Sequence, residues 1–318
     1  MATSGSTNYN ETRNEIIQDA FALIGLYGVG RTVSAEDMAR ANRALNRMIK
    51  MWQADGLHLW AKEEGYLFVS KGTGEYTISS DSSSAKAALR SDSVVTQIGA
   101  NEASGQTSIT VDDTTGMAAT DVIGIVLDTG AVHYSTVSSV TDGTTVVIAD
   151  ALPSAAAENN NVYSFSARVS RPLRISSLRR VDVVGTNANP APLVRLSHSD
   201  FFNLPIRSRT GTPSHFYYNP DVSAGKLYLA PTPDTGKWHF EFTFERSLED
   251  FDASSDNPDL PQEWLECIIY QLALRLAQLY DRPDRVQDIA PIAADLKNKL
   301  LSWDNEGGSI YLMPDSEY

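Results

Sequence analysis

The sequence predicts an α+β protein: a helical bundle core built from N- and C-terminal helices with a small β-region, and an inserted all-β domain of sandwich or barrel type. Three observations carry this reading. Apolar residues recur at helical spacing near both ends of the chain, while short Val/Ile/Thr runs separated by turn signals fill the middle. The charge also breaks sharply. Residues 91–167 hold nine acidic residues and no Lys or Arg, between a neutral segment 1–90 with ten of each sign and a basic segment 168–244 with ten basic and five acidic residues. Residues 245–318 turn acidic again, sixteen against six, within an overall charge of −14. Such breaks mark domain boundaries better than the total does.

The elements follow in order. Residues 11–27 place Ile16, Ile17, Ala20, Phe21, Leu23, Ile24 and Tyr27 on one helical face, and Gly28-Val29-Gly30 is expected to stop the helix. Ser34 is the expected N-cap of a second helix, with Asp37 in capping-box position. That helix runs to about residue 54 on a Met38, Leu45, Met48, Ile49, Trp52 stripe, and Gly56 ends it. Two short strands, residues 66–69 and 76–78, flank a Gly72-Thr73-Gly74 turn. SSDSSSAKAALRSDS then reads as a linker. Strand runs at 108–111, 122–127, 133–137 and 145–148, with turns at Asp128-Thr129-Gly130 and Asp142-Gly143, form the β-insert. Further strands are expected at 179–184, 193–196, 215–218, 226–229 and 238–244. A helix over 262–280 is apolar round most of its circumference, as a helix buried on several sides is. A last amphipathic helix, 284–303, aligns Val286, Ile289, Ala293, Leu296 and Leu300. The expected division is residues 1–85 and 167–303 for one core split between both ends, 86–166 for the looped-out insert, and 304–318 for an extended arm.

Composition excludes several function classes. No run of eighteen apolar residues is present, and the first fifteen residues lack the basic and apolar regions of a signal peptide, so neither membrane anchoring nor export is expected. Cys267 is the one cysteine, which precludes an intrachain disulfide and suits synthesis in a reducing cytoplasm. A charge of −14 disfavours general binding to nucleic-acid phosphates. His58, His133, His198, His215 and His239 show no metal-ligand spacing, and no GxSxG, phosphate loop or dinucleotide fingerprint occurs. Glu63-Glu64 or the acidic residues near 249–256 could in principle supply an acid/base pair for glycan hydrolysis, but adjacent acids on a surface turn are ordinarily solvated. Cys267, in the most apolar helix, reads as a core residue. No catalytic residue, cofactor or metal is expected.

Two terminal stretches, SAEDMARANRALNRMIKMWQADGLHLW and DNPDLPQEWLECIIYQLALRLAQLYDRP, resemble the N- and C-terminal helical signatures of phage head-completion proteins. These are also called packaged-DNA stabilization or head-to-tail adaptor proteins of short-tailed phages. RPLRISSLRRVDV and DNEGGSIYLMPD are similar to that family's central region and extended C-terminus. The resemblance spans most of residues 11–78 and 168–315; the smaller members lack residues 86–166. It implies a virion protein without enzymatic activity, a homo-oligomeric ring of twelve subunits docked under the portal. The implied partners are the portal protein, other copies of the chain, a downstream nozzle or tail-hub protein, and genomic double-stranded DNA sliding through the lumen with weak contact. Alternatives of another class are a surface module whose β-insert recognises a glycan or another virion protein, and a peptidoglycan hydrolase.

Three groups of residues are candidates for these contacts. Ile310, Tyr311, Leu312 and Met313 form an apolar patch on a polar terminus, either a frayed end or an arm that orders on the portal. Arg40, Arg43, Arg47 and Lys50 share one face of the second helix, either a solvated face or a basic strip turned to a neighbouring subunit's acidic part or to the lumen. Arg168, Arg171, Arg174, Arg179 and Arg180 are the densest cationic group, either charges flanking strands or a contact for portal or DNA.

Overall fold

The computed structural model describes residues 5–28, 31–54, 60–83, 85–184, 187–205, 207 and 209–303. In chain order the elements begin with α1 (Arg13–Leu23), α2 (Ala35–Ala54), β1 (Lys62–Phe68), β2 (Glu75–Ile78) and β3 (Ala87–Leu89). The insert contributes β4 (Ser93–Gln97), β5 (Ser108–Thr110), β6 (Val122–Val126), β7 (Val132–Val140), β8 (Thr145–Ile148) and β9 (Asn161–Phe165). There follow β10 (Arg174–Val184), β11 (Asn187–Pro192), β12 (Val194–Arg195), α3 (His198–Phe202), β13 (Thr210–Gly211), β14 (His215–Asn219), β15 (Gly225–Ala230), β16 (Thr232–Pro233) and β17 (His239–Glu245). The chain returns to helix in α4 (Leu265–Leu279), entered through a 3-10 turn at Gln262–Trp264, and α5 (Pro283–Trp303). The fold is α+β, as the periodicities predict.

The chain forms two compact units, Met1–Ala61 with Leu248–Tyr318, and Lys62–Ser247. In the first, Thr12 and Glu15 make a reciprocal capping box that starts α1. The helix ends at Leu23, earlier than expected, because Gly25 takes φ +66° and turns the chain before the Gly28 region. Freed from the helix, Tyr27 donates its hydroxyl to Asp37. Asp37 also accepts from Ser34 Oγ at 2.8 Å and Tyr280 Oη at 2.6 Å, which holds its carboxyl below the ordinary value. One carboxylate thus ties the start of α2 to the ends of α1 and α4. Ile16, Phe21, Leu45, Met48, Leu272 and Leu276 meet in one buried core. Trp264 lies between Trp52 and Trp60, with ring centroids 5.5 and 5.1 Å away. Of the α5 stripe, Ile289 and Ala293 are buried and Val286, Leu296 and Leu300 partly so.

The second unit is larger than the small β-region expected. A five-stranded sheet, β11-β10-β17-β1-β3, and a four-stranded sheet, β12-β14-β15-β2, face each other across Leu67, Phe216, Leu227, Phe240, Phe242 and Phe244. β1 pairs antiparallel with β17 over its whole length, from Lys62↔Glu245 to Phe68↔His239. Gly65 is required within that pairing: a Cβ there would stand 2.7 Å from the Phe242 ring. The expected boundary between residues 85 and 86 is not where the molecule divides. The two short strands placed with the helical hairpin, β1 and β2, belong to these sheets.

The supposed linker is also partly structured. Ala87–Leu89 pairs with β1, and Ala85, Ala87 and Ala88 are fully buried. Alanine signals weakly for a strand, so tertiary pairing decides here. The outgoing and returning connectors of the insert run side by side, with Ala88 bridging Arg168 and Val169 N–H donating to Ala87 O.

The insert is a six-stranded antiparallel sheet, β4-β9-β6-β7-β8-β5, wrapped around Ile109, Ile123, Ile125, Val146, Ile148 and Val162. A bridge from Ile98 to Val111, just beyond β4 and β5, joins its two outer strands. Its acidic composition has a local cause. Asp113, Asp121, Asp128, Asp142 and Glu102 each accept a backbone N–H, at Thr115, Ala118, Ala157, Thr144 and Thr110. Short carboxylates in tight turns serve the backbone that the strands leave unpaired.

The insert is not looped out from the sheets. Phe68 of β1 stacks on Tyr163 at 4.4 Å, and Phe165 lies 5.6 Å away. Tyr163 Oη donates to Gly236 O at 3.1 Å, and Tyr134 Oη to Phe68 O at 3.3 Å. His239 is buried in the same seam, edge-on to Tyr66 and Tyr163, and its Nδ1 has no hydrogen-bond partner among the described residues. Burial, with the Arg90 charge added, pushes its imidazole down to about 4.

Two expectations follow. Phe68→Ala removes the ring that joins insert and sheets and should cost about 3–5 kcal/mol in a denaturant melt. The unfolded His239 takes a proton near its ordinary value, the folded one only near 4. Its contribution is therefore complete above pH 6.5 and is lost as pH falls towards 4. Melts across that window should show wild type losing about 3 kcal/mol more than His239→Phe.

Candidate functional site

No enclosed catalytic arrangement emerges from the acidic candidates. Glu63 and Glu64 are neighbours on β1, so their side chains leave opposite faces of the sheet. Glu63 pairs with Arg246 at 2.9 Å and Glu64 with Arg90 at 2.5 Å. Near 249–256 the carboxylates shape a turn: Asp256 accepts the N–H groups of Asp252 and Ala253, and Asp250 pairs with Lys50. Cys267 is fully buried and its thiol is pushed up to about 11, which suits a packing role. Among the described residues no three His, Cys, Asp or Glu side chains are grouped to hold a metal ion, and no helix is long and apolar enough to cross a membrane.

The surface charges are more informative. Arg40, Arg43, Arg47 and Lys50 are all exposed along α2. Arg40 pairs with Glu36 one turn away, and Lys50 with Asp250 and the Leu248 carbonyl. Arg43 and Arg47 have no acidic partner among the described residues. Arg275 of α4 joins them, a residue that sequence reading passed over because its neighbours in the chain are apolar. Burial, with repulsion from Arg47 added, lowers its guanidinium from the ordinary value, and its Nη2 lies 3.6 Å from Met51 Sδ. Met51 is 50% exposed, so this cationic patch has an apolar member.

The five central arginines do not gather into one patch. Arg168 donates to the carbonyls of Ala85 and Ser83 beside β3, at one edge of the five-stranded sheet. Arg174 and Arg179 lie on β10, towards the other edge, facing Glu245 at 3.9 Å and Glu241 at 3.0 Å on β17. Arg180 points the other way, its guanidinium 5.1 Å from the Trp238 ring. Arg171 is half-buried. Ile310, Tyr311, Leu312 and Met313 lie outside the described residues, as does His58.

The helical unit also carries a groove of about 700 Å³ between α1 and the start of α4. Its wall is apolar, from Leu23, Ile269 and Tyr270, and its rim is acidic, from Glu11, Asp19, Glu263 and Glu266. Partial burial and repulsion from Glu11 and Glu15 raise the Asp19 carboxyl, as expected for acids held together. Sequence reading missed this groove because its two walls are some 240 residues apart in the chain. Elsewhere on the unit Leu279, Ile292 and Trp303 are 55%, 45% and 59% exposed.

On the second unit, Phe201 and Phe202 of α3 lie against Tyr217 and Tyr228 on the outer face of the four-stranded sheet. The helix is only five residues long and offered no periodicity to read.

Comparison with known proteins covers the later part of the chain. No curated protein matches the chain. Residues 139–301, from within β7 through most of α5, match the profile of the SU10 adaptor protein family. Since that match covers just over half of the residues and includes α4 and the sheets around β17, the chain belongs to the SU10 adaptor protein family and is a phage adaptor-type structural protein of the virion.

Proposed function

We propose that the chain is a non-enzymatic head-to-tail adaptor whose copies form a ring of twelve below the portal, joining it to the tail and helping to retain packaged DNA. Family membership supports the adaptor role. The observation that carries the ring is the surface of the helical unit, where cations without acidic partners among the described residues and exposed apolar residues accompany a separate acidic groove. A monomer has little use for either surface, whereas a ring made by repeating one contact needs two unlike patches on each copy. The neighbours in the virion are the portal above and a nozzle or tail-hub protein below. The arm, residues 304–318, reaches the portal through Ile310, Tyr311, Leu312 and Met313, an apolar segment of the kind that adds to an exposed sheet edge.

Genomic DNA passes through the lumen with weak contact. Arg174 and Arg179 already face carboxylates, which leaves them little net attraction for phosphate. Arg168, Arg171 and Arg180 are spread over different parts of the second unit. A lumen that lets a duplex slide is served by few strong contacts.

Two measurements test this reading. Deleting residues 305–318 should abolish co-sedimentation with purified portal while leaving the thermal melt unchanged; normal co-sedimentation of the shortened chain contradicts the arm's role. The isolated full chain should show no gel shift of a linear duplex at physiological salt at micromolar concentration. Tight, sequence-independent binding there contradicts the weak-contact reading.

A further inference from the structure

The two charged surfaces of the helical unit have a specific geometric relation. Glu266, on the groove, and Arg275, in the cationic patch, are nine residues apart on α4. At 3.6 residues per turn that is about two and a half turns, so they leave opposite faces of the helix. α1 lies against α4 on the groove side, and Arg47 of α2 stands by Arg275 on the other. A subunit with complementary patches on opposite faces associates head to tail, and successive contacts of that kind close into a ring when the rotation permits.

We infer that the acidic groove between α1 and α4 receives the Arg43, Arg47 and Arg275 face of the next copy of this chain. This rests on the ring reading and names the contact that builds it. Charge complementarity selects the occupant. The rim presents Glu11, Asp19, Glu263 and Glu266, and the patch presents three cations without acidic partners among the described residues. Both surfaces also offer apolar area: Leu23, Ile269 and Tyr270 in the groove, and Met51 in the patch. The chain's own terminus is the wrong occupant, because residues 304–318 carry four acidic residues and no basic one. Opposite charges across such a contact fix register and exclude wrong partners, and the apolar area adds affinity.

The contact is tested by charge exchange. One full-length variant carries Arg43→Glu and Arg47→Glu, and another carries Glu263→Lys and Glu266→Lys. All four positions are exposed, and unchanged thermal melts verify that each variant folds. Copies bound per purified portal are then counted by native mass spectrometry, with wild type giving many. Each variant alone should lose multi-copy assembly at least tenfold. An equal mixture should restore it, because the acidified α2 face fits the basic groove of the other variant while the two native surfaces still match. Full assembly by either variant alone, or loss that the mixture does not restore, overturns this contact while the ring reading stands. Wild type binding as a single copy overturns the ring reading and this contact with it.

Discussion

The antiparallel pairing of β1 with β17 is the constraint on which the rest of the sheet unit depends. Seven consecutive residue pairs, from Lys62↔Glu245 to Phe68↔His239, hold the first strand after α2 against the last strand before α4. Two points more than 170 residues apart in the chain are thereby fixed side by side. The helical unit has a core of its own, shared by α1, α2, α4 and α5, and Asp37, Tyr27 and Tyr280 tie three of these helices together. The same two strands supply Phe240, Phe242 and Phe244 to one face of the sheet, and Phe68 and His239 to the other. One face closes the sandwich, and the other receives the insert through the Phe68–Tyr163 stack. Gly65 is tolerated in mid-strand because Phe242 occupies the space a side chain would need.

The insert's lack of Lys and Arg reads in the sequence as an independent acidic module. In the structure many of those carboxylates accept turn N–H groups, and the two connectors are paired to each other, the outgoing one also to β1. Its face towards the sheets is aromatic and carries hydrogen bonds from Tyr163 and Tyr134. Acidity here is chiefly a consequence of many short strands needing many tight turns.

The helices were legible because their information is local. The Ile16–Phe21 face, the Leu45–Trp52 stripe and the Ser34 cap all follow from spacing of three and four residues. Strand existence was legible in Val/Ile/Thr-rich runs, but β3 is Ala-rich and α3 is one turn long, so neither leaves a periodic trace. Sheet partnership was not legible, since register depends on residues far apart in the chain. The candidate surfaces divide the same way. Arg40, Arg43, Arg47 and Lys50 were visible as a spaced run, whereas Arg275 and the acidic groove exist only once α1, α2 and α4 are brought together.

The surfaces of the helical unit connect this architecture to its role. On the proposed ring reading, successive head-to-tail contacts call for two unlike patches on each subunit rather than a reactive centre. Electron cryomicroscopy of the intact virion addresses that role most directly. The expected map has a closed ring of this chain immediately below the portal, with neighbouring helical units in contact and residues 304–318 reaching upwards into portal density. A junction in which this chain is missing, or in which it decorates the tail as isolated copies, contradicts the adaptor role.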